Sequence, residues 1–271
     1  MIIGKNFFIT EIPKTGTTFL RNYFKKQKGV SLTTHHDTVE HNLSQNVLNK
    51  KYKIGIVRSP YNWYLSLWRW SCLKKKKSPV YSDLISKRLK IRRLKFNQKI
   101  FQYILNQVKK NTNKIKNVFK DVSSKKNFNQ FLSFLLDKKF KSQISSDFSF
   151  TRYNELGYMT YFFFYQNTLR EDYNELFNSK KKFSIVIENL DKKIFSNYFF
   201  KTENLSNDLK KFLKKNKMKI KKFNKLDKNQ TKKNSKDNVI KFFTKKNLKL
   251  IEKKEDYLFK KFKYIKISNK L

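Results

Sequence analysis

The chain has 271 residues, enough to bury the core of one large α/β domain, and its single cysteine, Cys72, excludes both an intrachain disulfide and a Cys-based zinc site, as expected in a reducing, cytoplasmic compartment. Lys and Arg number 64 against 20 Asp and Glu, a net charge of +44, yet there is no Ala, only 5 Gly and 3 Pro, and an excess of Lys, Asn, Ile and Phe throughout. Much of the charge therefore reflects a composition shifted everywhere, which weakens the inference to a nucleic-acid partner, and no run reaches the roughly 18 apolar residues of a membrane span.

The opening "MIIGKNFFITEI" reads as a first strand that starts almost at once, with Phe7 to Ile12 as its apolar run. It leads into Pro13-Lys14-Thr15-Gly16-Thr17-Thr18 and then a helical pattern. A tight loop between a strand and a helix aims unpaired backbone N–H groups at one point, and the helix dipole adds positive potential there. Gly16 lets the backbone approach an anion, Lys14 supplies a point charge, and Thr17 and Thr18 add hydroxyl donors at the helix start. The competing reading is an ordinary strand-to-helix turn capped by Thr. The order does not match G-x-x-x-x-G-K-[ST], because the first Gly is missing and the Lys precedes the remaining one, which counts against a kinase or ATPase.

All three histidines fall in the next segment, "TTHHDTVEHNL": His35, His36 and His41, beside Asp37 and Glu40. Two imidazoles and a carboxylate suit a zinc triad, but neither HExxH order nor a Cys ligand is present, so no metal is expected. The remaining readings are a polar loop without a role, or a general base.

Tyr52 to Val57 is a second strand, followed by Arg58 at its end, Ser59 placed to cap, and Pro60 suited to a first helical turn. Ser66 lies eight residues beyond Arg58, about two helical turns on, so both can address one anion. Singly, Arg58 reads equally well as half of a structural ion pair and Ser66 as a surface hydroxyl, while Tyr64, Leu65, Leu67 and Trp68 read as core. Residues 74 to 146 are helical and strongly basic, through "LKKKKSP", "LISKRLKIRRLKF" and "IFQYILNQVKK". The remainder holds a helical run around "GYMTYFFFYQNTL", a β-rich "KKFSIVIENL", a polar loop from Leu226 to Asn238, and a terminal helix from about Lys245 to Lys263. These elements predict a single α/β domain over 1–271, a parallel sheet flanked by helices, with a basic helical insertion at about 74–146.

Together the loop Pro13–Thr18 and the segment Val57-Arg58-Ser59-Pro60-Tyr61 with Ser66 resemble the sulfotransferases that use 3′-phosphoadenosine 5′-phosphosulfate, PAPS, and leave PAP as product. Later stretches, "GYMTYFFFYQ", "IVIENL" and "EKKEDYLFKKFKY", look like landmarks of bacterial and carbohydrate members, and residues 74 to 146 match nothing in them. The resemblance implies a P-loop-type sheet. It implies that Lys14, Thr15, Gly16, Thr17 and Thr18 hold the 5′-phosphosulfate, that Arg58 and Ser66 hold the 3′-phosphate, and that Lys14 also stabilises the leaving group. It places the base nearest His36, with Glu40 as base or orienting group, and a nucleotide-covering loop at "NQTKKN", where Lys232 and Lys233 stand. The implied acceptor is a hydroxyl or amine on a carbohydrate, with a lipid or small alcohol as alternative. A P-loop phosphotransferase using Glu188 and a basic nucleic-acid-binding protein are the rival classes, and specific nucleic-acid recognition is not expected.

Overall fold

The computed structural model describes residues 1–34, 45–87, 98–218 and 239–270. In chain order its strands and principal helices are β1 (Ile2–Ile3), β2 (Phe7–Ile9), α1 (Thr17–Phe24), β3 (Ser31–Leu32), α2 (Gln45–Leu48), β4 (Tyr52–Val57), α3 (Pro60–Leu73), α4 (Pro79–Ile85), α5 (Gln98–Val108), α6 (Thr112–Asn117), α7 (Lys125–Leu136), α8 (Lys138–Lys141), α9 (Tyr158–Asn167), α10 (Arg170–Tyr173), α11 (Glu175–Asn178), α12 (Phe183–Lys192), β5 (Tyr198–Lys201), α13 (Leu205–Lys215), α14 (Lys245–Lys254) and α15 (Asp256–Phe262). The chain divides into two compact units, the first comprising Met1–Ser59, Phe162–Asn174 and Ser184–Asn234, the second Pro60–Tyr161, Glu175–Phe183 and Ser235–Leu271.

The first unit contains the sheet, in the order β3-β1-β2-β4-β5. Its core, β2-β4-β5, is parallel as the alternation of strand and helix predicts. The sheet as a whole is mixed, because β1 runs antiparallel to both β2 and β3. The expected opening strand is thus two short strands, reversed at Gly4, whose N–H donates to Phe7 O at 2.8 Å. The run Phe7 to Ile12 leaves the sheet after Ile9, although Thr10 N still bonds Ile54 O at 2.8 Å. Alternation assigns the two faces. Phe7, Ile9, Ile54, Ile56 and Phe200 face a core closed by Phe19, Leu20, Tyr23 and Phe24 of α1 and Leu205, Leu209, Phe212 and Leu213 of α13. Phe8 points the other way, toward Met1, Val47, Leu48, Leu169 and Phe195. Gly55, on the central strand, sits where a Cβ would lie 2.4 Å from the ring of its β5 partner Phe199 and 2.8 Å from Asn167 Oδ1. Only hydrogen fits there.

One expected strand is a helix. "KKFSIVIENL" forms α12, in which Val186 and Leu190 are buried four residues apart while Ile185 is exposed. Helical spacing overrides the β-branched composition. The strand of this region is β5, Tyr198–Lys201, which completes the parallel core.

The second unit is helical in its described residues. Trp63, Tyr64 and Trp68 of α3 are fully buried, and Trp68 Nε1 donates to Val118 O at 2.9 Å. Phe128 of α7 packs against Trp68 and Phe243. The terminal helical region is two helices, α14 and α15, broken at Glu255. That carboxylate turns inward to accept from Met159 N at 3.0 Å, Thr160 N at 2.9 Å and Thr160 Oγ1 at 2.6 Å, and from the Tyr64 hydroxyl, so it serves the amides at the start of α9 instead of extending its own helix. No helix of the described residues is long and apolar enough to cross a membrane.

Candidate functional site

The loop from Thr10 to Gly16 is held by its own side chains. Thr15 is fully buried, and its Oγ1 donates to Ile12 O at 2.7 Å, which folds the loop back on itself. Lys14 takes a left-handed φ of 66°, unusual for a residue with a Cβ, and Gly16 follows at 91°. At Gly16 a Cβ would stand 2.6 Å from Leu205 Cδ2, so both the backbone angle and the space require glycine. Helix α1 begins at the next residue with Gly16 as N-cap and no side chain capping its amides. The first-turn N–H groups of a helix have no partner within it, so this end of α1 favours an anion. Of the two Thr that open α1, Thr17 is buried and Thr18 is exposed.

Arg58 stands directly after β4, at the carboxyl end of the parallel strands. Its Nη1 donates to Lys14 O at 2.9 Å, so two cationic residues expected from separate parts of the sequence meet through the loop backbone. The Lys14 ammonium is half-buried, and burial first, then the neighbouring Arg58 charge, lowers its pKa to about 8. A dianion placed here would relieve both effects.

A third chain segment closes the arrangement. Thr202, the residue after β5, has Oγ1 2.8 Å from Thr15 O and 2.9 Å from Val57 O. Its neighbour Glu203 accepts from Ser59 N at 2.8 Å. Neither is singled out by the sequence, since they follow a strand whose place is given there to residues 181–190. Glu11 was also missed. It is buried beneath the loop with Arg21, which donates from Nε to Oε1 at 2.7 Å, and its Oε2 lies 3.0 Å from the Met1 amine. Burial would raise the Glu11 carboxyl, but Arg21 and the amine hold it below its ordinary range, so it is an ionised structural partner and not a base.

The structure therefore brings Lys14, Thr15, Gly16, Thr17, Thr18 and Arg58 together. Ser66 is half-buried on α3, within the second unit. His36, Glu40, Lys232 and Lys233, with the rest of the histidine cluster, lie outside the described residues. Glu188, the carboxylate of the phosphotransferase reading, is exposed on α12 and paired with Lys192 at 3.0 Å, not placed after a buried strand. What the assembled residues offer chemically is the first-turn amides of α1 and two cations at the carboxyl edge of a parallel sheet, where such sheets take anionic ligands. Comparison with known proteins finds no matching family model, no similar curated protein and no similar solved structure.

Proposed function

We propose that the chain is a PAPS-dependent sulfotransferase with a P-loop-type phosphate cradle, and that the contact of Arg58 with the Lys14 carbonyl is the observation that carries this reading. A donor with phosphate groups at two positions of one nucleotide asks for two cations at a fixed separation on one sheet edge. Lys14 and Arg58 supply them, and the uncapped amides of α1 add neutral donors beside Lys14. PAPS brings an activated sulfuryl group.

In the reaction, the acceptor oxygen or nitrogen forms its bond to sulfur as the S–O bond to the 5′-phosphate breaks, in line. The acceptor proton passes to a base, His36 or Glu40 in this reading, and the departing phosphate carries the electron pair of the broken bond. Lys14 neutralises that developing charge, and Arg58 binds the 3′-phosphate. A carbohydrate acceptor suits the basic surface, and a lipid or small alcohol is distinguished from it by presenting each class with labelled donor.

The test is cofactor discrimination. PAP is expected to raise the melting temperature of the protein by mass action well beyond adenosine 5′-phosphate or ATP with magnesium. Arg58→Ala should remove most of that preference while the fold persists. Equal stabilisation by PAP and by adenosine 5′-phosphate in the unaltered protein overturns the reading.

A further inference from the structure

Lys14 and Arg58 belong to the β2–α1 loop and the β4 end, segments that meet where the Arg58 guanidinium donates to Lys14 O at 2.9 Å. A third segment, at the β5–α13 junction, touches both. Thr202 Oγ1 lies 2.8 Å from Thr15 O, one residue past Lys14, and 2.9 Å from Val57 O, one residue before Arg58. A hydroxyl has one proton, which Thr202 shares between two carbonyls of neighbouring segments. Its Cγ2 also approaches within 3.7 Å of where a Cβ on Gly16 would stand, and Leu205, three residues on, fills the remaining space beneath Gly16. Glu203 Oε1 accepts from Ser59 N at 2.8 Å, so consecutive side chains of one junction grip the loop and the strand end on either side of the cationic pair.

We infer that Thr202 is a positioning residue of the donor site, setting the separation of the Lys14 loop from the Arg58 strand end so that one ligand with two phosphates bridges them. The inference rests on the proposed donor reading. A ligand that fills both positions gains from their fixed spacing, because the second contact is made without further loss of freedom, whereas a ligand with one phosphate is indifferent to it. Loosening Thr202 therefore lowers the affinity for PAP more than that for adenosine 5′-phosphate. A residue that only stabilised the fold would lower the melting temperature and leave the ratio of the two affinities unchanged.

The experiment is calorimetric titration of the full chain with PAP and with adenosine 5′-phosphate. Thr202→Val keeps the shape and removes the proton. It is expected to lower the PAP-to-monophosphate preference by roughly tenfold, the effect of one hydrogen bond. Thr202→Ser restores the proton and should recover most of the preference. If Thr202→Val does not fold, Thr202→Cys, a weak donor of similar size, is read in its place and should show a partial loss of the same sign. A preference retained in full by Thr202→Val or by Thr202→Cys overturns the inference, as does a Thr202→Ser protein no better than Thr202→Val. Absence of any PAP preference in the unaltered protein is a different outcome, which overturns the donor reading and this inference with it.

Discussion

Lys14 is the residue whose chemistry the site most alters. Its amine is brought to about 8 by burial and by Arg58, so it is mostly charged at neutral pH and loses its proton just above. A bound dianion favours the charged form, and binding is accordingly coupled to proton uptake. PAP affinity should be flat below about pH 8 and fall as pH rises above it, and Lys14→Met should flatten that limb. The sign for folding is opposite to that for a paired lysine. The folded pKa lies below the ordinary 10.5, so between about 8 and 10.5 the unfolded chain holds more protons and this group's contribution to stability rises with pH. If Lys14 acts mainly on the transition state, Lys14→Ala loses turnover by several hundredfold, on the order of one oxyanion donor, while PAP affinity falls far less. Equal losses in both, measured by titration and by initial rates, mean that Lys14 only binds.

At the scale of elements, the loop depends on a pair hidden beneath it. Glu11 ends the segment after β2, Arg21 sits in the last turn of α1, and Arg21 Nη2 also donates to Thr33 O at 2.7 Å and Thr34 O at 2.9 Å. One guanidinium thus joins the loop base, the helix and the end of β3. Glu11→Gln leaves that guanidinium buried without its counter-charge and should destabilise the fold by about 3–5 kcal/mol. Because the folded carboxyl lies below its ordinary value, the stabilisation is present above about pH 4.5 and lost as pH falls through the folded value, a dependence the variant should lack in denaturant titrations at several pH values. A variant as stable as the parent at pH 7 would show that the pair contributes nothing net. This element was illegible in the sequence, since an acid and a base ten positions apart carry no local signal until the chain turns back. The same holds for Thr202 and Glu203. Tyr52–Val57 is legible as a strand because its stretch Ile54–Val57, bounded by Lys53 and Arg58, suits a strand buried between two layers, and Pro60 marks the helix start as expected. The run "SIVI" has the composition of a strand but buries Val186 and Leu190 at helical spacing, and only the tertiary packing decides between those patterns. Assigning the strand there hid β5, and with β5 the junction that grips the site.

For the whole molecule the question is whether recognition comes from the site or from the net charge of +44. That charge is not evenly opposed: no Asp or Glu occurs from Ile12 to His36 or from Leu209 to Leu226. Helices α1 and α13 cover the same face of the sheet, and Lys25, Lys26, Lys210, Lys211, Lys214 and Lys215 are exposed along or just beyond them. Such a surface draws in any polyanion at long range, and salt weakens it, with a screening length of about 8 Å at physiological ionic strength. The Lys14–Arg58 pair acts at contact distance and is partly buried, so it is screened less. The two contributions therefore separate on a salt axis. Affinity for a duplex DNA of arbitrary sequence, followed by fluorescence anisotropy, should fall by orders of magnitude between roughly 0.05 and 0.3 M salt, since each neutralised phosphate adds to the slope. The preference for PAP over adenosine 5′-phosphate should survive the same change nearly intact, although both absolute affinities drop. Loss of that preference at the higher salt, with DNA binding retained, would mean that the loop is only one part of a general basic surface, and the nucleic-acid-binding reading would then replace the sulfotransferase one.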